Sequence, residues 1–267
     1  FHSLDKHLPG LERNHILTNY RSGSAIVNYG NQLMSGLGSP SKSFFSSGLA
    51  IYLDITSVKY DGDFNIYIDS EKNKYDDGFK LQRYHSLLFT LIKFEIHKCI
   101  DNNSSNSIYD IPKDAELLIL SRKKNINMES VQSNLIPIVI SSLAKYFVSI
   151  GYKEGNQEIE IRLNQLVSYS TVHAIKGGQA DVVILVEANA NTMPLQHPDR
   201  ELSAIFCDDP SKADAEADAE ERRLYYVAVT RAKESLYVVT TKSEASPFMS
   251  NKPFAQLEKF SVDDASI

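Results

Sequence analysis

Four short apolar runs constrain this chain more than any other feature: ELLILS at 116–121, LVSYSTV at 166–172, VVILVE at 182–187 and SLYVVTT at 235–241. Runs of this length, rich in β-branched and aliphatic residues, read as buried strands. Stretches of helical spacing separate them. A long helix is expected over 79–100, with Leu87, Leu88, Leu91, Phe94 and Ile96 turned inward. Another is expected over 128–149, kinked or split at Pro137 and ended by Gly151. Strands alternating with helices imply a mostly parallel sheet covered by helices.

The segment before residue 116 is read more coarsely. A helix and turn are expected at 1–13, a short strand at 15–18, and a helix capped by Ser22 or Ser24 running to about Leu37. Residues 38–48 and the stretch around Asp76-Asp77-Gly78 have loop composition. Residues 49–60 and 64–69 alternate as strands do, and 101–107 reads as a linker. Residues 188–213 read as an irregular connection, and a small helix is expected at 253–260.

Composition bounds the function. The net charge of -6 argues against a general nucleic-acid binder, while leaving room for a local basic groove. Cys99 and Cys207 have no metal-ligand spacing and make no disulfide framework, which points to a reducing, intracellular setting. Neither an apolar run of transmembrane length nor a signal peptide is read in the sequence. The chain opens on Phe1, so a cut from a longer protein is expected.

The densest stretch is Glu220 to Ala232. It reads as a helix with acidic residues at its start and a buried stripe of Leu224, Val227, Ala228 and Ala232. Arg231 falls at the end of that helix, just before a strand. A fixed guanidinium in that position suits phosphate, because its fork matches the oxygens. In parallel sheets, ligands bind at the carboxyl ends of strands. Tyr20-Arg21, Arg122-Lys123-Lys124 and His173 to Gln179 are expected at those ends. No G-x-x-x-x-G-K-[ST] phosphate loop occurs, so the chain holds half a nucleotide site at most.

Three of these stretches, in this order, resemble the second RecA-like domain of the UvrD/Rep family of superfamily 1 DNA helicases. Leu17-Thr18-Asn19-Tyr20-Arg21-Ser22 is similar to the family's motif IV. Ser170 to Gly177, followed by Asp181-Val182-Val183, is similar to motif V. Glu220 to Ala232 is similar to motif VI. The resemblance spans roughly residues 1–243. It implies a RecA-like α/β fold, a mostly parallel sheet with helices on both faces, lacking its own phosphate loop. It also implies one motor domain over 1–260, a reduced or absent accessory insertion at 126–165, and a frayed tail at 261–267.

The resemblance implies roles by position. Tyr20 stacks on adenine. Arg21 reaches the γ-phosphate, and Arg231 is the arginine finger on the same phosphate. Gly177 and Gln179 belong to the ATP site, and Arg122, Lys124, Thr171, His173 and Lys176 to single-stranded DNA. The cofactor is ATP with Mg2+, the metal being held by a preceding N-terminal RecA-like domain. The partners are that domain and single-stranded or partly duplex DNA, with no membrane. The setting is cytoplasmic, bacterial-type and nucleoid-associated. The family has Leu-Glu where this chain has Gly178-Gln179, and full members carry a large domain between Arg122 and Thr171. These departures keep open a non-catalytic RecA-like interaction module. A relative of the RecD branch or of the RNA helicases is a further alternative.

Overall fold

The computed structural model describes residues 17–57, 76–100, 107–126, 129–175, 177–195 and 210–249. The elements expected at 1–13, 64–69 and 253–260 lie outside these residues, as do residues 101–106 of the linker and Lys176.

A parallel sheet of five strands organises the described residues. Its strands are β3 (Leu49–Asp54), β4 (Leu117–Ser121), β7 (Val167–Thr171), β8 (Ala180–Leu185) and β9 (Ala232–Thr240). Their spatial order is β3-β9-β8-β4-β7, and every neighbouring pair is parallel. The four apolar runs therefore all form strands of this sheet. Alternation explains why they look continuously apolar. Leu117 and Ile119 face one core, while Leu118 and Leu120 face the other. Val182 and Ile184 against Val183 and Leu185 repeat the pattern in β8. A strand covered on both faces needs apolar residues at every position.

Helices cover both faces. On one lie α2 (Asp76–Ile100), α3 (Ile136–Ser149) and α4 (Asn156–Leu166). Leu87, Leu88, Leu91 and Ile96 of α2 pack there, as expected, with Leu143 and Phe147 of α3 and Ile159 and Leu163 of α4. Phe94 is partly buried against the same core. On the other face lie α1 (Ser24–Leu33) and α5 (Pro210–Val229), whose Ile26, Tyr29, Tyr225 and Ala228 fill the second core. Tyr29 and Tyr225 satisfy each other there through a 2.9 Å hydroxyl contact. This is the α/β architecture expected of a RecA-like domain.

Several boundaries differ from expectation. The first strand, β1, is Thr18–Gly23, so Tyr20 and Arg21 sit within a strand and do not follow one. It pairs in parallel with β2 (Lys42–Phe45), inside the stretch whose composition reads as loop. The Ser22 hydroxyl donates to the Ala232 carbonyl at 2.7 Å, tying β1 to the start of β9. Ser22 is thus no helix cap; Gly23 occupies the N-cap of α1. A Cβ on Gly23 would lie 2.3 Å from the Ser47 carbonyl oxygen, so this crossing of two backbones requires glycine.

Helix α2 begins at Asp76, inside the expected polar loop. Residues 129–135 are not α-helical. A short hairpin of β5 (Asn125–Ile126) with β6 (Glu129–Ser130) leads into a π-helical turn, Val131–Leu135. Pro137 lies in the first turn of the regular helix that follows, where its missing N–H costs nothing. Gly151 closes α3 at φ 93°, as expected. Helix α4 was not anticipated, although Ile159, Leu163 and Leu166 show helical spacing. Its buried Arg162 donates to the carbonyls of Ile111 and Pro112 at 3.0 and 2.9 Å. Within 126–165, Val131, Leu135, Leu143, Phe147, Ile159 and Leu163 thus belong to the core of the domain.

Contrary to the sequence reading, one helical stretch among the described residues, Val131–Ser149, is long and apolar enough to cross a membrane. Here its apolar side, including Leu135, Val139, Leu143 and Phe147, packs in the core under the sheet.

Candidate functional site

The residues singled out in the sequence separate into two groups at opposite edges of the sheet. The expectation that all lie at the carboxyl ends is corrected. Tyr20, Arg21, Gln179 and Arg231 gather at the amino ends of β8 and β9. Helix α5 runs back antiparallel to the strands, so its carboxyl end meets the start of β9. The segment 172–179 likewise carries the chain from the carboxyl end of β7 to the amino end of β8.

Arg231 is not on the helix. Helix α5 ends at Val229, and Thr230-Arg231 form the turn into β9. The turn satisfies the orphan carbonyls of the helix end with side chains. The Thr230 hydroxyl donates to the Tyr226 carbonyl at 2.8 Å, and Arg231 Nε to the Val227 carbonyl at 3.0 Å. Arg231 Nη1 donates to the Gly178 carbonyl at 3.0 Å. The guanidinium is thus clamped between helix end and loop, and among the described residues its Nη2 has no partner. The buried stripe of α5 is rotated from the expected one. It runs through Tyr225, Ala228 and Val229 to Ala232, with Leu224 and Val227 half-buried.

Burial first, and the nearby Arg21 guanidinium second, push Arg231 below the ordinary arginine range. Arg21 is exposed, and among the described residues neither arginine has an ion-pair partner. An open cavity of about 700 Å³ lies here, lined by Asn19, Tyr20, Arg21, Phe45, Gln179 and Lys233. The ring of Tyr20 is 67% exposed beside it. Lys233 is held at 3.0 Å by Asp181, whose second oxygen accepts the Glu116 amide at 3.0 Å. Gly177 takes a left-handed φ of 73°, is exposed and does not line the cavity.

At the carboxyl edge, Arg122 follows β4 and His173 follows β7. Arg122 Nη1 lies 2.7 Å from His173 Nδ1 and 2.9 Å from Nε2. A neutral imidazole has one acceptor nitrogen, so only one of these is a hydrogen bond. Arg122 Nη2 donates to Glu221 Oε1 at 2.7 Å, and Glu221 Oε2 accepts the Leu195 amide at 3.0 Å. The Arg122 side chain is only 9% exposed, and its Nε is buried without a partner among the described residues. Burial first and Arg122 second hold His173 below the ordinary histidine range, while Glu221 pulls it up. Lys124 and Thr171 line a cavity of about 230 Å³ with Ser130, Gln132, Tyr169, Ser170 and Ala174.

Sequence reasoning missed four residues of these groups. Glu221 read only as one of the acidic residues at the helix start, and its pairing with Arg122 has no local signal. Asn19 and Lys233 lie inside the motifs and could have been taken from them. Phe45 sits in a stretch read as loop. Of the two remaining arginines of α5, Arg223 pairs with Glu220 at 3.1 Å, whereas Arg222 lies over the Phe248 ring. Among the described residues no group of His, Cys, Asp or Glu could hold a metal ion.

Residues 115–243 match the family of UvrD-like helicase C-terminal domains. The chain is 39% identical to DNA helicase IV of Escherichia coli over 83 residues, 31% of the chain and 12% of that protein. It is 26% identical to the ATP-dependent DNA helicase PcrA of Staphylococcus epidermidis over 192 residues, 67% of the chain and 25% of that protein. The matched part thus spans a quarter or less of these relatives. Among solved structures, the C-terminal domain of a possible DNA helicase from Lactobacillus plantarum aligns over 86% of this chain and 91% of its own. Its identity is 14% and its TM-score 0.33.

Proposed function

We propose that the chain is the second motor domain of an ATP-driven DNA helicase or translocase, spanning about residues 1–260. In this reading it completes an ATP site in a cleft shared with an N-terminal RecA-like domain. The carrying observation is the pair Arg21 and Arg231. Two neighbouring guanidiniums with no ion-pair partner among the described residues, beside an exposed tyrosine at an open cavity, form an arrangement that a nucleotide polyphosphate would neutralise. Tyr20 stacks on the adenine, and Arg21 reaches the γ-phosphate. Arg231, clamped in place, stabilises charge developing on the same phosphate. Gln179, beside Gly177, supplies a neutral hydrogen bond to the ribose. The magnesium that accompanies ATP belongs to the other domain.

The carboxyl edge carries the DNA in this reading. Lys124, Thr171 and His173, with Lys176, meet the single-stranded backbone, and Arg122 orients His173 while held by Glu221. Loop 172–179 joins the two edges, beginning beside His173 and ending where the Gly178 carbonyl accepts Arg231. A displacement of Arg231 on hydrolysis therefore reaches the DNA edge through eight residues of one loop. The segment 126–165 stands where full members carry the accessory domain. The protein works on DNA in a bacterial-type cytoplasm, which cell fractionation checks.

The test is DNA-stimulated ATPase activity of the full-length protein. Arg231→Ala removes most of it, and this chain alone shows none. Undiminished turnover in the variant refutes the assigned role. The neutral Gln179 favours a second reading, an interaction module without catalysis. Absence of DNA-stimulated hydrolysis in the wild-type full-length protein supports that reading instead.

A further inference from the structure

Strand β2 has no part in the reading above, yet it carries the largest exposed aromatic group among the described residues. Phe44 is 65% exposed and Phe45 43%, beside Tyr20 at 67%. The rings touch in series. Tyr20 and Phe44 have centroids 5.1 Å apart at 35°, and Phe44 and Phe45 5.4 Å apart at 89°. Contiguous exposed apolar surface at a cavity mouth marks a place where something binds.

The backbone fixes this group. Thr18 pairs with Lys42 and Asn19 with Ser43 in register, and the register then shifts. The Ser43 hydroxyl lies 2.7 Å from both the Ser22 and Phe45 carbonyls and accepts the Phe45 amide at 3.0 Å. Asn19 Oδ1 accepts the amides of Arg21 and Ser22 at 2.8 and 2.9 Å, holding the strand that presents Tyr20. Rings 5.1 Å apart leave no space for a third ring between them, which needs about 7 Å, twice a stacking contact. Phe44 therefore packs directly against the Tyr20 ring, and a planar ligand cannot enter between the two. Phe45 lines the same cavity as Tyr20.

We infer that β2 completes a base-binding shelf. Phe44 is a positioning residue that holds the Tyr20 ring, and Phe45 is a contact residue that bounds the space for a planar nucleobase. The inference rests on the nucleotide reading of this cavity. It adds that the base is gripped by an aromatic series and not by Tyr20 alone.

The test is steady-state DNA-stimulated ATPase of the full-length protein with Tyr20→Ala, Phe44→Ala, Phe44→Tyr and Phe45→Ala, and inorganic triphosphate as a competitor without a base. Phe44→Ala and Phe45→Ala are expected to raise KM for ATP by about 3- to 10-fold, the scale of one aromatic contact. The kcat changes less than about 2-fold, since no phosphate contact is lost. Phe44→Tyr restores KM, and the inhibition constant of triphosphate is the same in all variants. A general loosening of the domain would move both ligands together, so a parallel loss of triphosphate binding overturns the inference. So does a fall in kcat at unchanged KM, which would mean that the patch packs against another domain. If Tyr20→Ala raises KM while both phenylalanine variants do not, the shelf falls and the nucleotide site stands. If Tyr20→Ala is silent too, the base-stacking reading itself falls.

Discussion

Glu221→Gln is the most informative single change to the carboxyl edge. The carboxylate lies 2.7 Å from Arg122 Nη2, with the two side chains 19% and 9% exposed. The amide keeps the shape, but with its oxygen accepting the Leu195 amide its NH2 faces the Arg122 guanidinium, so the charge and the Arg122 hydrogen bond are lost together. A hydrogen bond to a charged group contributes about 1.5–3 kcal/mol, and breaking a wholly buried ion pair costs about 3–5 kcal/mol. Residual exposure screens part of this, so a loss of about 2–3 kcal/mol is expected. For a chain of this size, that lowers Tm by roughly 5–10 °C. The cost is high because Arg122 already buries one nitrogen without a partner among the described residues and would keep its charge. Thermal unfolding of Glu221→Gln, Arg122→Met and the double variant measures it. The double variant should be more stable than the sum of the two losses predicts, by at least about 1 kcal/mol of coupling. A Glu221→Gln melt within about 1 °C of wild type, with no coupling, would refute the reasoning and show that solvent screens the pair.

Three further outcomes are expected. His173 should titrate below the usual value of about 6.5 in an NMR titration of the ring, lower still in Glu221→Gln and higher in Arg122→Met. Because its folded value is depressed, its contribution to stability is present above the ordinary value and is lost as pH falls through the folded one. Gly151→Ala places a side chain at φ 93° with open space around it; the strain alone should cost about 1–2 kcal/mol in a denaturant titration. Lys124→Ala in the full-length protein should reduce the salt dependence of single-stranded DNA binding by about 0.7 in log–log slope, with little change in sequence preference. An unchanged slope would remove Lys124 from the phosphate contacts.

The sheet was legible because burial on both faces erases polar alternation. Leu117–Ser121 is buried at every position, and such a run has few other homes in a chain this size. Helices α2 and α3 were legible from their apolar spacing. The failures share one cause, dependence on partners distant in sequence. Lys42–Phe45 is a strand only because β1 lies beside it, and its Ser- and Gly-rich surroundings advertise a loop. The Val131–Leu135 turn departs from α geometry just before Pro137, where a kink within one continuous helix was the simpler expectation.

The same cause separates which residues matter from where they sit. Arg122 and Glu221 are 99 positions apart, so no local pattern could tell a DNA-facing arginine from one held by a carboxylate. The edge on which Arg231 lies depends on a helix running back against the strands, which reverses the rule that loops after strands carry the site. That rule holds for Arg122, Lys124, Thr171 and His173, which follow or end strands. It fails for Gln179 and Arg231, which precede them. Loop 172–179 belongs to both groups because it crosses the sheet, and among its described residues there is no helix. A helical crossover would have turned His173 and Gly178 into ends of a rigid rod. Instead, a short loop pinned at one end by the contact of His173 with Arg122, and at the other by Arg231 on the Gly178 carbonyl, joins the two edges directly.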